Sequence, residues 1–117
     1  MRHQQKNLQI NRDQDHKQSL KRNMITQLFL YEKITTTPRK AKFIVPKAER
    51  LIQMAIHTAP VQAIRELKRV LRNELACRKV MEVYKERYKD RKGGFTRTTK
   101  LGNRKGDNAP LVLLELV

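Results

Sequence analysis

The stretch from Lys100 to Val117, KLGNRKGDNAPLVLLELV, sets a cationic segment with Gly and Asn directly before the most apolar run in the chain. Nearly every residue from Lys100 to Pro110 suits a loop, and Leu111 to Val117 suit a buried strand. Val112, Leu114 and Leu116 alternate onto one face, which predicts that this face lies under helices and that Glu115 points away. Upstream, Gly93 and Gly94 end a helical pattern, and Phe95 to Leu101 is Thr-rich and extended. Two strands flanking a nine-residue loop, 102–110, make a long hairpin. Gly102 and Gly106 let the loop backbone approach a partner closely, while Arg104 and Lys105 can neutralise phosphates. The apolar strand fixes the base of a basic loop.

Working outward, the spacing of Leu20, Met24, Ile25, Leu28, Phe29 and Tyr31 predicts a helix from Asp13 or Asp15 to about Tyr31. Lys17 and Lys21 precede the apolar part on the same face, so this helix should begin outside the core and end inside it. Lys33 to Thr37 is β-branched and reads as a brief strand. Thr37 then serves as N-cap and Pro38 as first residue of a second helix, whose apolar face runs from Ala41 to Ala55. Pro46 inside it should kink it. After HTAP at 57–60, Ile64, Leu67, Leu71 and Leu75 mark a third helix. Val80, Val83, Tyr84 and Tyr88 mark a fourth, with a break expected between Asn73 and Lys79. The fold class is α+β: a two-layer α/β domain over 13–117 with a small sheet, preceded by a basic N-terminal arm over 1–12. In the arm only Leu8 and Ile10 can pack.

The totals bound the chemistry. A chain of 117 residues is one domain by length, and a domain of this size buries only about two-thirds of its unfolded surface. Lys and Arg number 27 against 11 Asp and Glu, a formal net charge of +16. Self-repulsion at that charge makes a polyanion the natural partner, and nucleic acid fits better than a membrane surface. No apolar run approaches the roughly 18 residues of a membrane span. The N-terminus has neither the apolar centre of a secretory signal nor transit-peptide character. The single cysteine, Cys77, excludes an internal disulfide and a multi-cysteine zinc site, and reads as a small buried apolar residue.

His3, His16 and His57 lie in three separate segments without ligand spacing, and Glu66, Glu74, Glu82 and Glu86 sit on basic helices where helical pairing explains them. GNRKGD lacks the ending and context of a P-loop. No enzyme activity, cofactor, metal or small-molecule substrate is expected. The cations are informative by their placement. Residues 1–42 hold ten against three acids and 91–117 hold six against two, whereas 43–90 hold eleven against six. Excess charge in extensions and loops is the layout of a protein reaching into folded nucleic acid.

Several motifs together resemble one family. MRH at 1–3, NR at 11–12, RNM at 22–24, ITTTPRKAK at 34–42, AERLI at 48–52, RY at 87–88, GGFTRTTKLGNRKGDNAP at 93–110 and ELV at 115–117 look like bacterial-type ribosomal large-subunit protein seventeen. The resemblance runs almost end to end. It implies an element order α-β-α-α-α-β-β and binding to large-subunit ribosomal RNA beside neighbouring large-subunit proteins near the outer end of the peptide exit tunnel, without catalysis. By position it implies RNA contacts from Arg2, His3, Lys6 and Arg12 in the arm, and from His16, Lys17, Lys21 and Arg22 on the first helix. Arg39, Lys40 and Lys42 follow at the second helix start, and Arg97, Lys100, Arg104 and Lys105 on the hairpin. Gln4, Gln5, Asn7, Leu8 and Gln9 stand where the family arm is denser in cations. Residues 57–83 lack the usual KGD turn, and Thr98 and Thr99 replace an apolar pair. Such drift favours an organellar ribosome, in the mitochondrial matrix, over a bacterial cytoplasm. A free nucleic-acid-binding regulator is the alternative. It would present a recognition helix with base-reading side chains, whereas here the cations concentrate in arm and hairpin.

Overall fold

The computed structural model describes Ile10 and residues 12–117, and in it the elements follow the expected order. Helix α1 spans Gln14–Tyr31, strand β1 Lys33–Thr36, helix α2 Pro38–His57 and helix α3 Pro60–Val70. Helix α4 starts over Glu74–Lys79, widens to a π turn over Val80–Tyr84 and closes with Lys85–Arg87. Strands β2, Thr96–Asn103, and β3, Pro110–Leu116, complete an antiparallel sheet of order β1-β3-β2. The architecture is α+β, as the sequence predicts.

The last strand is the centre of the sheet. Leu114 lies opposite Ile34 on one side and Thr98 on the other, and Val112, Leu114 and Leu116 are all buried. Their neighbours Leu111, Leu113 and Glu115 are half-buried on the other face, as the alternation requires. The helices cover the first face and build one core. Ile25, Leu28 and Phe29 of α1, Ile44 and Ile52 of α2, Leu67 of α3 and Val80 and Tyr84 of α4 are fully enclosed. Each such apolar side chain contributes about 1.5–3 kcal/mol relative to exposure. A run of aromatic contacts links α1 to Phe95, the residue before β2. Phe29 meets Tyr84 at 5.7 Å between ring centroids, Tyr84 meets Tyr88 at 6.3 Å, and Tyr88 meets Phe95 at 5.1 Å.

Helix α1 begins in solvent and ends in the core. Asp13 to His16 are exposed, whereas Met24, Ile25, Thr26, Leu28 and Phe29 are buried. It stops at Glu32, whose φ of 63° is left-handed and whose N–H returns to the Leu28 carbonyl, a common helix C-terminus. Thr37 and Pro38 open α2 as expected, and the helix continues through Pro46 to His57.

The third-helix reading needs correction. The spacing of Leu67, Leu71 and Leu75 extends one face, but α3 ends at Val70 and Leu71 is extended, with ψ at 134°. Asn73 then caps a new helix by accepting the Leu75 N–H at Oδ1, 2.8 Å away, the usual role of an Asn at a helix start. The break therefore falls just before the expected window, and Leu75 is 61% exposed. Helix α4 instead turns Ala76, Cys77, Val80 and Tyr84 inward, and Val83 is partly exposed. Two α1 side chains satisfy the backbone groups that a helix break leaves without partners. Arg22 Nε donates to the Val70 carbonyl at 3.1 Å, and the Thr26 hydroxyl accepts the Arg72 N–H at 3.2 Å.

Ile10 is buried, so the last part of the predicted arm has an anchor. The hairpin is also longer in its strands than expected. Pairing continues to Asn103 and Pro110, leaving a six-residue loop over 104–109.

Candidate nucleic-acid interface

The start of α1 and the junction between β1 and α2 face each other across an open pocket of about 430 Å³. Arg12, His16, Arg39 and Lys40 contribute its polar lining, with Thr37, while Ile10 and Leu20 supply apolar surface. The local sequence explains the convergence. Pro38 fixes the start of α2, so Arg39 and Lys40 leave its first turn, and the polar beginning of α1 carries His16 one turn before Leu20. Four residues chosen from separate segments of the sequence therefore share one site.

Lys21 and Arg22 of the first helix make contacts within the fold. Lys21 Nζ sits 4.5 Å from the centroid of the Phe43 ring, a cation–π contact between α1 and α2. Arg22 spends its Nε on the Val70 carbonyl, and Lys17 is half-buried. Lys42 is exposed on α2 outside the pocket lining. Arg2, His3 and Lys6 lie outside the described residues.

The hairpin forms a second basic region, and none of its cations lines the pocket. Strand β2 is a sheet edge, and all its residues after Thr96 are exposed. Arg97 Nε contacts Glu115 of β3 at 3.1 Å, whereas Lys100 and Lys105 are exposed. The ladder slips between Lys100 and Gly102, which makes Leu101 the extra residue of a bulge and twists the hairpin tip. Gly102 adopts a φ of 109°, so glycine is required there. The second positive-φ position of the hairpin is Asn108 at 57°, and Gly106 does not take one. Within the loop, Arg104 N–H donates to the Ala109 carbonyl at 2.7 Å and Asn108 N–H to the Arg104 carbonyl at 2.9 Å. Arg104 also reaches Asp107 through two hydrogen bonds. That contact lowers the Asp107 carboxyl to about 2 and raises the Arg104 guanidinium, each partner favouring the other's charged form.

Elsewhere the ionisable groups serve the fold. Glu32 contacts Lys79 at 3.4 Å and Arg87, which joins the end of α1 to α4. The Arg87 hydrogen bond is the leading cause that holds its carboxyl below the usual range. Burial raises both the Cys77 thiol and the Tyr84 phenol. Glu66–Arg69, Arg78–Glu82 and Glu86–Lys89 pair along their helices. Among the described residues, no group of three or more His, Cys, Asp or Glu is placed to hold a metal, and no helix is long and apolar enough to cross a membrane.

A family model described as ribosomal protein L17 matches residues 20–117. This chain belongs to the ribosomal protein L17 family. The large ribosomal subunit protein bL17 of Hyphomonas neptunium is 43% identical over 117 residues, covering all of this chain and 83% of that protein. The bL17 proteins of Syntrophotalea carbinolica and Pelagibacter ubique are 40% and 39% identical over the whole chain, which covers 75% and 80% of them. These L17 relatives are bacterial and lend the organellar expectation no support.

Sequence reasoning missed Leu20 and Thr37 as pocket residues of this L17 chain, because one reads as core and the other as a helix cap. Ile10 was visible only as a residue able to pack. The Arg104–Asp107 pair had a usable signal, opposite charges three residues apart in a loop.

Proposed function

We propose that this protein is a structural constituent of the large subunit of a bacterial ribosome, binding ribosomal RNA by charge and shape. Its contacts come from the basic arm, the α1 start with the head of α2, and the hairpin. The observation that carries this reading is the convergence of Arg12, His16, Arg39 and Lys40 on one pocket in a chain of net charge +16. Membership of the L17 family supports the assembly, and the bacterial relatives support the bacterial cytoplasm. The position near the tunnel exit, beside neighbouring large-subunit proteins, rests on the family resemblance alone. The relatives' names speak for the ribosome and not for a free regulator.

The test is affinity for large-subunit RNA across a salt series, paired with co-sedimentation of the protein with large subunits at high salt. Neutralising about six phosphates gives a log–log slope of roughly −4 to −5 through counterion release. Salt-independent affinity, or loss of the protein from large subunits at moderate salt, contradicts the reading.

A further inference from the structure

We infer that the pocket between α1 and the β1–α2 junction receives one unstacked nucleotide of the bound RNA, its base against Ile10 and Leu20 and its phosphate at the basic rim. The inference deepens the RNA-binding reading and rests on it.

The cavity's size and lining both point past simple phosphate contact. Its volume is about 430 Å³. That is the size of cavity that small organic ligands occupy. A phosphate on an RNA backbone needs only an exposed cation, and Lys100 and Lys105 on the hairpin offer that without any cavity. Here the lining is divided. Ile10 and the half-buried Leu20 supply the apolar part of the lining, a surface suited to a base face. Arg12, and Arg39 and Lys40 at the first turn of α2, add positive charge to the same lining. Thr37 adds a hydroxyl that does not cap its own helix. Apolar face, polar edge and cationic rim match base, sugar and phosphate in turn.

RNA form supplies the rest. The deep major groove of an A-form helix keeps side chains from its bases, so a protein that touches a base takes it from a loop, bulge or end. His16 and Leu20 sit on a helix of 18 residues, and Arg39 and Lys40 on the head of one of 20 residues, which fixes that part of the lining.

The experiment titrates the full-length protein with two RNA hairpins of identical stem, one fully paired and one with a single bulged nucleotide. Adenosine monophosphate and inorganic phosphate are added separately while Leu20 methyl and Thr37 amide signals are followed by NMR. The bulged hairpin should bind about tenfold more tightly, the gain from covering part of one base with apolar side chains. The monophosphate should shift both signals where phosphate does not. In Leu20→Gln the preference for the bulge should vanish. The hairpin comparison on the unaltered protein stands even if that variant misfolds. Equal binding of the two hairpins, or equal shifts from inorganic phosphate, overturns the nucleotide pocket and leaves a general phosphate surface. If neither hairpin binds, the RNA-binding reading fails and the pocket proposal fails with it.

Discussion

Asp107 holds Arg104 across the hairpin loop, 3.0 Å from Nε to Oδ1 and 2.6 Å from Nη2 to Oδ2. The same Oδ1 accepts the Ala109 N–H at 3.2 Å, so one carboxylate organises both the loop backbone and its arginine. This two-pronged geometry is also the one by which guanidinium grips phosphate. In the proposed RNA contact, Asp107 would compete with phosphate for the arginine while presenting it in a fixed position.

Replacing Asp107 with Asn separates those two effects. It removes the competing charge and keeps a side-chain oxygen for the Ala109 N–H. RNA affinity at low salt should rise severalfold, and the salt slope should steepen by up to about one phosphate equivalent. Filter binding across a salt series measures both. Weaker binding would mean that holding Arg104 in place matters more than releasing it.

The same pair carries a pH signature. The folded Asp107 carboxyl titrates at about 2 against an ordinary value of 3.8. Because its pKa is lowered on folding, the loop tie is fully present above about pH 4 and is lost as pH falls through 2. Side-chain carboxyl NMR should show that low inflection, and R104A should return it toward 3.8. An unmoved inflection in R104A would show that the backbone N–H, and not the guanidinium, lowers it.

Loop and anchor should respond in opposite ways. Replacing both Arg104 and Lys105 with Ala should leave the melting temperature nearly unchanged, since these side chains are exposed. RNA affinity should fall, with the salt slope smaller by up to about two phosphate equivalents. Leu114→Ala empties a fully buried site on the central strand and should cost about 2–5 kcal/mol. Calorimetry and RNA binding on both variants decide the matter. Unfolding of the loop variant, or full stability in Leu114→Ala, would reverse the division of labour.

Tyr84 is the buried polar test. Its hydroxyl donates to the Phe29 carbonyl, and burial raises its phenol above the usual 10. Tyr84→Phe should destabilise the fold by about 1–3 kcal/mol by stranding that carbonyl. A pKa raised on folding gives a contribution complete below pH 10 and lost as pH climbs toward the folded value. Alkaline unfolding should therefore begin above pH 10 in the parent, and its pH dependence should be weaker in Tyr84→Phe. Identical alkaline curves would assign the loss to other groups.

How much of this was legible depended on distance along the chain. Val112, Leu114 and Leu116 declared their face because strand alternation is a local property. Thr37 and Pro38 likewise announced α2. Leu75 misled because periodicity continues through a backbone break, and Asn73, the capping residue, was the overlooked signal. Val83 misled because the π turn shifts the facing register, leaving Val80, Tyr84 and Tyr88 aligned inward. Charge identified a basic hairpin, but not that Arg97 and Arg104 meet carboxylates. The pocket was least legible, because its lining joins residues from Ile10 to Lys40 that only tertiary packing brings together.

The position of β3 has a consequence for synthesis. Strands β1 and β2 never touch, and each pairs only with Pro110–Leu116, which the ribosome makes after both. At ordinary elongation rates the chain between Thr36 and Pro110 takes on the order of 10 s to emerge. During that interval β1 has no partner, and the helices that emerge must shield an apolar face still missing its floor. The nascent chain can therefore complete its sheet only once β3 has emerged, a step timed by the arrival of Leu114.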